Sequence, residues 1–129
     1  MILLWNSAEP TCRLTLLEGD EVIEDRYWDA GRELAKQLLG YLQSSLSKHA
    51  KTWDDITGIG VYRGPGSFTG LRIGLTVLNT LAHSKGIAIV GATGDDWQTT
   101  CRDKLESGEN DSIVLPEYGA EARVTSPRK

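Results

Sequence analysis

The residues richest in chemical possibility form one run, Arg63-Gly64-Pro65-Gly66-Ser67-Phe68-Thr69-Gly70. Three glycines this close together permit positive φ and let backbone approach another group tightly. Pro65 stiffens the turn between them, and Ser67 or Thr69 stands where it can cap a following helix. A strand, a glycine loop and a helix N-terminus in this order can hold an anion. The same residues can also make only a tight turn into a packed helix. Two nucleotide motifs are not matched. No Lys-Ser/Thr pair follows, so the side chain that reaches terminal phosphates in a P-loop is missing, and Thr69 stands where G-x-G-x-x-G needs its third glycine.

Other reactive residue types are scattered. The Ser67 and Thr69 hydroxyls lack a Gly-x-Ser-x-Gly elbow, and neither His49 nor His83 is placed to act as their base. Both histidines read as solvated helix residues, since no His, Cys or carboxylate flanks them at ligand spacing. Asp95-Asp96 reads as a helix cap in preference to a magnesium site. Arg63 and Arg72 flank the glycine run, where they can meet an anion, pair with a partner's carboxylates or remain surface charges. Cys12 and Cys101 form no C-x-x-C pair, so no zinc or redox motif is expected, and no metal or cofactor is called for. Trp5, Trp28, Trp53 and Trp97 are many for this length and read mostly as core anchors.

The elements that must position these groups follow from periodicity. Ile2 to Trp5 is a short apolar strand. A second strand alternates, with Cys12, Leu14 and Leu16 on one face and Thr11, Arg13 and Thr15 on the other. Glu18-Gly19-Asp20 is a turn, and Glu21 to Trp28 is a weaker strand with Ile23 and Tyr27 on one face. Asp29 is the expected cap of a helix over 30–50, whose Leu34, Leu38, Leu42 and Leu46 recur every four residues, with Ala35 and Leu39 beside them. Ile56 to Tyr62 is a buried strand. The glycine run leads into a helix from about Leu71 to Ser84, ended by Lys85-Gly86, and Ile87 to Val90 is a last buried strand. A helix between two apolar strands implies a right-handed crossover and parallel pairing. The order β-β-β-α-β-α-β is an α/β arrangement with a mixed five-stranded sheet, compatible with a ribonuclease H-like lobe. Beyond it, Asp96 to Glu106 is a short helix candidate, Ile113 to Leu115 a short strand candidate, and Tyr118 to Lys129 a polar tail.

Bulk properties narrow the function classes. The chain has 129 residues, enough for one domain with a hydrophobic core, with 40% hydrophobic and 25% charged residues. Its formal net charge is −4, whereas nucleic-acid binders carry a clustered basic footprint. The one small basic cluster is Arg123, Arg128 and Lys129, so any RNA is expected to be held mainly by a partner. No segment has the length of a transmembrane span and no signal peptide is visible, so a cytoplasmic location is the default expectation.

The continuous string Gly64-Pro-Gly-Ser-Phe-Thr-Gly-Leu-Arg-Ile-Gly74 closely resembles the signature of the TsaB (YeaZ-like) family. The likeness extends through Ala82 and weakly back to Ile2, about two thirds of the chain. It implies the ribonuclease H-like fold of the actin-like ATPase superfamily. It also implies a noncatalytic scaffold that binds the TsaD-like catalytic subunit, with a TsaE-like ATPase, in synthesis of tRNA threonylcarbamoyladenosine. In such a complex tRNA is contacted only indirectly. Two departures stand out. Where family members have Asp-Thr-Ser after the first strand, this chain has Asn6-Ser7-Ala8, which removes the carboxylate that metal-assisted phosphate chemistry needs. Family members also carry a second lobe. Here residues 1–97 are expected to be the lobe, and 98–129 a short helix, strand and tail with no second lobe.

The helix pair supports a partner surface independently. Leu71, Leu75, Leu78 and Ala82 share one face, and Ile73, Gly74, Val77 and Leu81 widen it to an apolar arc of roughly 200°. A helix needs only about 100° against its own sheet. The expected partner surface, for TsaD or for a second copy in a homodimer, therefore comprises Leu34, Leu38, Tyr41 and Leu42 on the first helix. On the second it comprises Leu71, Arg72, Leu75, Leu78, Asn79 and Ala82. Packing of the helices on each other and on the sheet is the alternative source of the same width. The functional rival is a small nucleotide-binding enzyme using Gly64 to Gly70 as an anion cradle.

Overall fold

The computed structural model describes residues 1–117. Five strands form one mixed sheet in the order β3-β2-β1-β4-β5. They are β1 (Ile2–Asn6), β2 (Thr11–Glu18), β3 (Glu21–Asp29), β4 (Gly58–Tyr62) and β5 (Ala88–Ala92). The first three pair antiparallel, as short turns require, and β4 and β5 add parallel on the other side of β1. Helices α1 (Leu34–Ser47) and α2 (Phe68–Lys85) cover one face, and α3 (Trp97–Glu106) the other. The expected order of elements is the observed one.

Period-two alternation sorts the strands between two cores. Leu3 and Trp5 of β1, Leu14 and Leu16 of β2, and Ile59 and Val61 of β4 point to the α1–α2 side. Leu4, Leu17 and Val90 point to α3, with Trp97 and Cys101. Glycines let α3 approach: a Cβ at Gly60 would lie 2.7 Å from both Cys101 Cβ and Leu4 Cδ2. The three tryptophans Trp5, Trp53 and Trp97 are buried, and Trp28 stacks on Tyr41 with ring centroids 4.2 Å apart.

Several local expectations are corrected. Ile23 and Tyr27 do not share a face. A register shift between Leu16 and Leu17 leaves Ile23 as the extra residue of a bulge, so it packs on the α1–α2 core while Tyr27 is 65% exposed under the Arg13 guanidinium. Asp29 ends β3 and does not cap α1, which is entered through a 3-10 turn at Gly31–Glu33. Helix α2 begins one turn before Leu71, at Phe68, and ends at Gly86 with φ of 68°, as a left-handed C-cap requires. Asp96 sits at the N-cap position of α3 without a side-chain capping bond.

Ile113 to Leu115 form no strand. Instead residues 110–117 run as a strap along the free edge of β5. Asn110 Oδ1 accepts from Ile89 N at 3.1 Å, Asp111 Oδ2 accepts from Gly91 N at 3.0 Å, and Asp111 N donates to Ile89 O at 2.8 Å. The edge groups that would template another strand are thereby satisfied. Residues 98–117 thus pack on the same sheet as residues 1–97. The tail from Tyr118, including Arg123, Arg128 and Lys129, lies outside the described residues.

Candidate functional site

The glycine run is built against the turn that joins β1 to β2. Ser7 Oγ donates to Gly70 O at 2.8 Å, and Ser67 N donates to Ala8 O at 2.6 Å. A Cβ at Gly66 would strike Ala8, and one at Gly70 would strike the Ser7 carbonyl oxygen. At Gly74, one turn further along α2, a Cβ would strike Ser7 Oγ and lie 2.6 Å from Trp5 Nε1. The close approach that these glycines permit is therefore used for packing α2 on residues 5–8. Gly64 adopts φ of 118°, with the Glu117 carbonyl where a side chain would project, and the Gly64–Pro65 peptide is cis. Tyr62 Oη donates to Pro65 O at 2.8 Å and fixes the loop from the α3 side of the sheet.

The departures from the family signature are satisfied internally. Asn6 Oδ1 accepts from Ala8 N at 2.8 Å, a local turn bond of the kind Asn favours. Ser7 is buried at 2% exposure. Among the described residues no group of His, Cys, Asp and Glu is arranged to hold a metal ion. Cys12 and Cys101 are free and buried, and burial raises both thiol pKa values to about 11. His83 is exposed. His49 is not a merely solvated residue: its Nε2 lies 2.6 Å from Glu24 Oε1, tying the end of α1 to β3.

The expected partner residues divide sharply. Leu34, Leu38, Leu42, Leu71, Leu75, Leu78 and Ala82 are all buried in the chain's own core. Their face meets the sheet and the opposite helix, so no outside molecule reaches them. Tyr41 is half-buried, stacked on Trp28, near the Arg26 guanidinium and edge-on to Trp5, with burial raising its pKa. Asn79 clamps the strap: Nδ2 donates to Val114 O at 2.9 Å and Oδ1 accepts from Val114 N at 2.8 Å. Of the ten, Arg72 alone is exposed.

What remains open to solvent is the other edge of the apolar arc. Ala35 of α1 and Phe68, Ile73 and Val77 of α2 line a groove between the helices of about 390 Å³, bordered by Thr69, Arg72 and Thr76. Phe68 is 52% exposed, and the Arg72 guanidinium carbon lies 5.0 Å from its ring centroid. Ile73 and Val77 are half-buried, touching the core with one side and the groove with the other. The apolar width of the helix pointed to more apolar surface than the sheet needs, but of the expected partner residues only Arg72 borders this groove.

Comparisons with known proteins agree with this architecture. The sequence model of the family TsaD, tRNA N6-adenosine threonylcarbamoyltransferase, matches residues 28–93, just over half of the chain. The tRNA threonylcarbamoyladenosine biosynthesis protein TsaB of Escherichia coli (strain K12) is 29% identical over 92 residues, which cover 71% of this chain and 39% of that protein. The protein of the same name from Bacillus subtilis (strain 168) is 33% identical over 88 residues, covering 68% of this chain and 38% of that one. The chain thus spans less than half the length of these relatives. The solved structure of YeaZ from Pseudomonas aeruginosa superposes with a TM-score of 0.67 at 24% identity, covering 83% of this chain and 49% of that one. A second solved structure, a protein with similarity to peptidase YeaZ from Pseudomonas aeruginosa, gives a TM-score of 0.68. The fold is the α/β ribonuclease H-like lobe of the actin-like ATPase superfamily. The chain belongs to the family of the threonylcarbamoyltransferase TsaD, and it is a TsaB/YeaZ-like protein.

Proposed function

We propose that this chain is a noncatalytic scaffold or activator subunit that docks on a TsaD-like catalytic subunit in tRNA threonylcarbamoyladenosine synthesis. A TsaE-like ATPase is the further partner, and tRNA is engaged only through the complex. The observation that carries the reading is the α1–α2 groove. It presents Phe68, Ile73 and Val77 to solvent from within the signature helix. Two helices with an apolar furrow between them accept a helix pair by ridges-into-grooves packing. A second copy of this chain can use the same surface, which makes homodimerisation the expected state when the partner is absent.

The noncatalytic half of the reading is supported by the site that a phosphate would need. Its hydroxyl at Ser7 is engaged by Gly70, its carboxylate position holds Asn6, and the glycine run is packed on the turn. The rival anion cradle has these same contacts against it. Light scattering of the chain alone and mixed with the TsaD-like protein from the same cell tests the docking. A stable heterocomplex is expected, and a well-folded chain that forms none refutes the reading. Calorimetry with ATP and ADP tests the rival, which requires binding by the isolated chain.

A further inference from the structure

We propose that the partner segment seated in the α1–α2 groove carries a carboxylate that pairs with Arg72. This rests on the docking reading above and specifies the chemistry of what docks. Arg72 stands on the groove's border, exposed, with its guanidinium over the Phe68 ring. Among the described residues no carboxylate lies within ion-pair distance of it, although Arg13 and Arg26 each have one and Arg102 has two. The contact with the Phe68 ring restrains the side chain, and a guanidinium's N–H donors suit a carboxylate's two oxygens. An aromatic and an arginine side by side on an apolar furrow are the residue types that anchor interfaces. Covering the furrow removes water from Arg72, and a desolvated guanidinium without a counter-charge opposes binding. The fitting occupant is therefore a helix with small or aliphatic residues at three- and four-residue spacing. Its carboxylate sits at the end of the furrow nearest Phe68.

The test is the affinity of the full chain for the TsaD-like protein, measured by calorimetry at several salt concentrations, with Arg72→Ala, Arg72→Lys and Val77→Glu compared. The residue is exposed, so circular dichroism of the Arg72 variants should match wild type. The proposal expects Arg72→Ala to bind about thirtyfold more weakly with a flatter salt dependence. Arg72→Lys should fall between, because a point charge loses the two-pronged geometry. If wild type binds and Val77→Glu does not, yet Arg72→Ala keeps its affinity and its salt dependence, docking stands and the carboxylate is overturned. If wild type itself does not bind, the docking reading fails and this inference falls with it.

Discussion

The side chain of Asn79 meets the backbone of Val114 twice, donating to its carbonyl at 2.9 Å and accepting from its amide at 2.8 Å. This pair closes the strap over the edge of β5 and seats Val114, 3% exposed, in the core that Leu78 and Ile89 also line. Asn79→Leu leaves a half-buried amide and carbonyl without partners, at about 1–3 kcal/mol for each group lost. Urea unfolding of the variant should show a lower midpoint. Protease digestion should cut within residues 107–117 at a rate that wild type does not show.

The glycines of α1 and α2 separate into those with neighbours and those without. Gly74→Ala drives a Cβ into Ser7 Oγ and the Trp5 indole, and overpacking of this kind costs about 1–3 kcal/mol. Gly40 lies in α1 with nothing within 4 Å of a built Cβ. There alanine removes only the helix penalty of glycine, so Gly40→Ala should stabilise by about 0.5–1 kcal/mol. Thermal melts of the two variants should move in opposite directions.

Burial of the two thiols predicts a pH dependence. Both have pKa values raised from 9.0 to about 11 in the folded chain. The unfolded chain therefore loses its thiol protons first as pH rises. Their contribution to stability is complete below about pH 9 and falls as pH climbs toward 11. The urea midpoint of wild type should drop more steeply between pH 8 and 10.5 than that of the Cys12→Ala/Cys101→Ala double variant. At pH 8 in native buffer, thiol reagents should label neither cysteine quickly.

The sequence carried the order of strands and helices because alternation and four-residue spacing are local signals, but it missed the helix ends: α1 spans only Leu34–Ser47 and α2 starts at Phe68. It also carried the role of Gly66 and Gly70 as close-approach positions, though not what approaches them. The parity of β3 was hidden, since one bulge residue, Ile23, reverses which side chains face the helices. The pairing of His49 with Glu24 joins positions 25 residues apart, and spacing says nothing about it. Ile113 to Leu115 has the composition of a strand, yet Asn110 and Asp111 take the edge of β5 with their side chains before that segment reaches it. The apolar arc of α2 pointed to a contact beyond the sheet. It did not tell that Leu75 and Leu78 are consumed by the sheet and α1 and that Leu71 is buried beside Gly64, leaving Phe68, Ile73 and Val77 at the surface.

That distinction decides how docking is tested. Leu78 has no exposed surface, so Leu78→Glu buries an unpaired charge and should unfold the chain whether or not a partner exists. Val77→Glu places its charge at the groove, where water can reach it, and should leave the urea midpoint within about 1 kcal/mol of wild type.

The central claim is that the α1–α2 groove is the docking surface, and calorimetric titration of Val77→Glu against the TsaD-like subunit tests it most directly. With wild type as reference and folding verified by circular dichroism, the groove account predicts at least about a hundredfold loss of affinity. Wild-type affinity in a folded Val77→Glu chain contradicts it and places the contact elsewhere on the molecule.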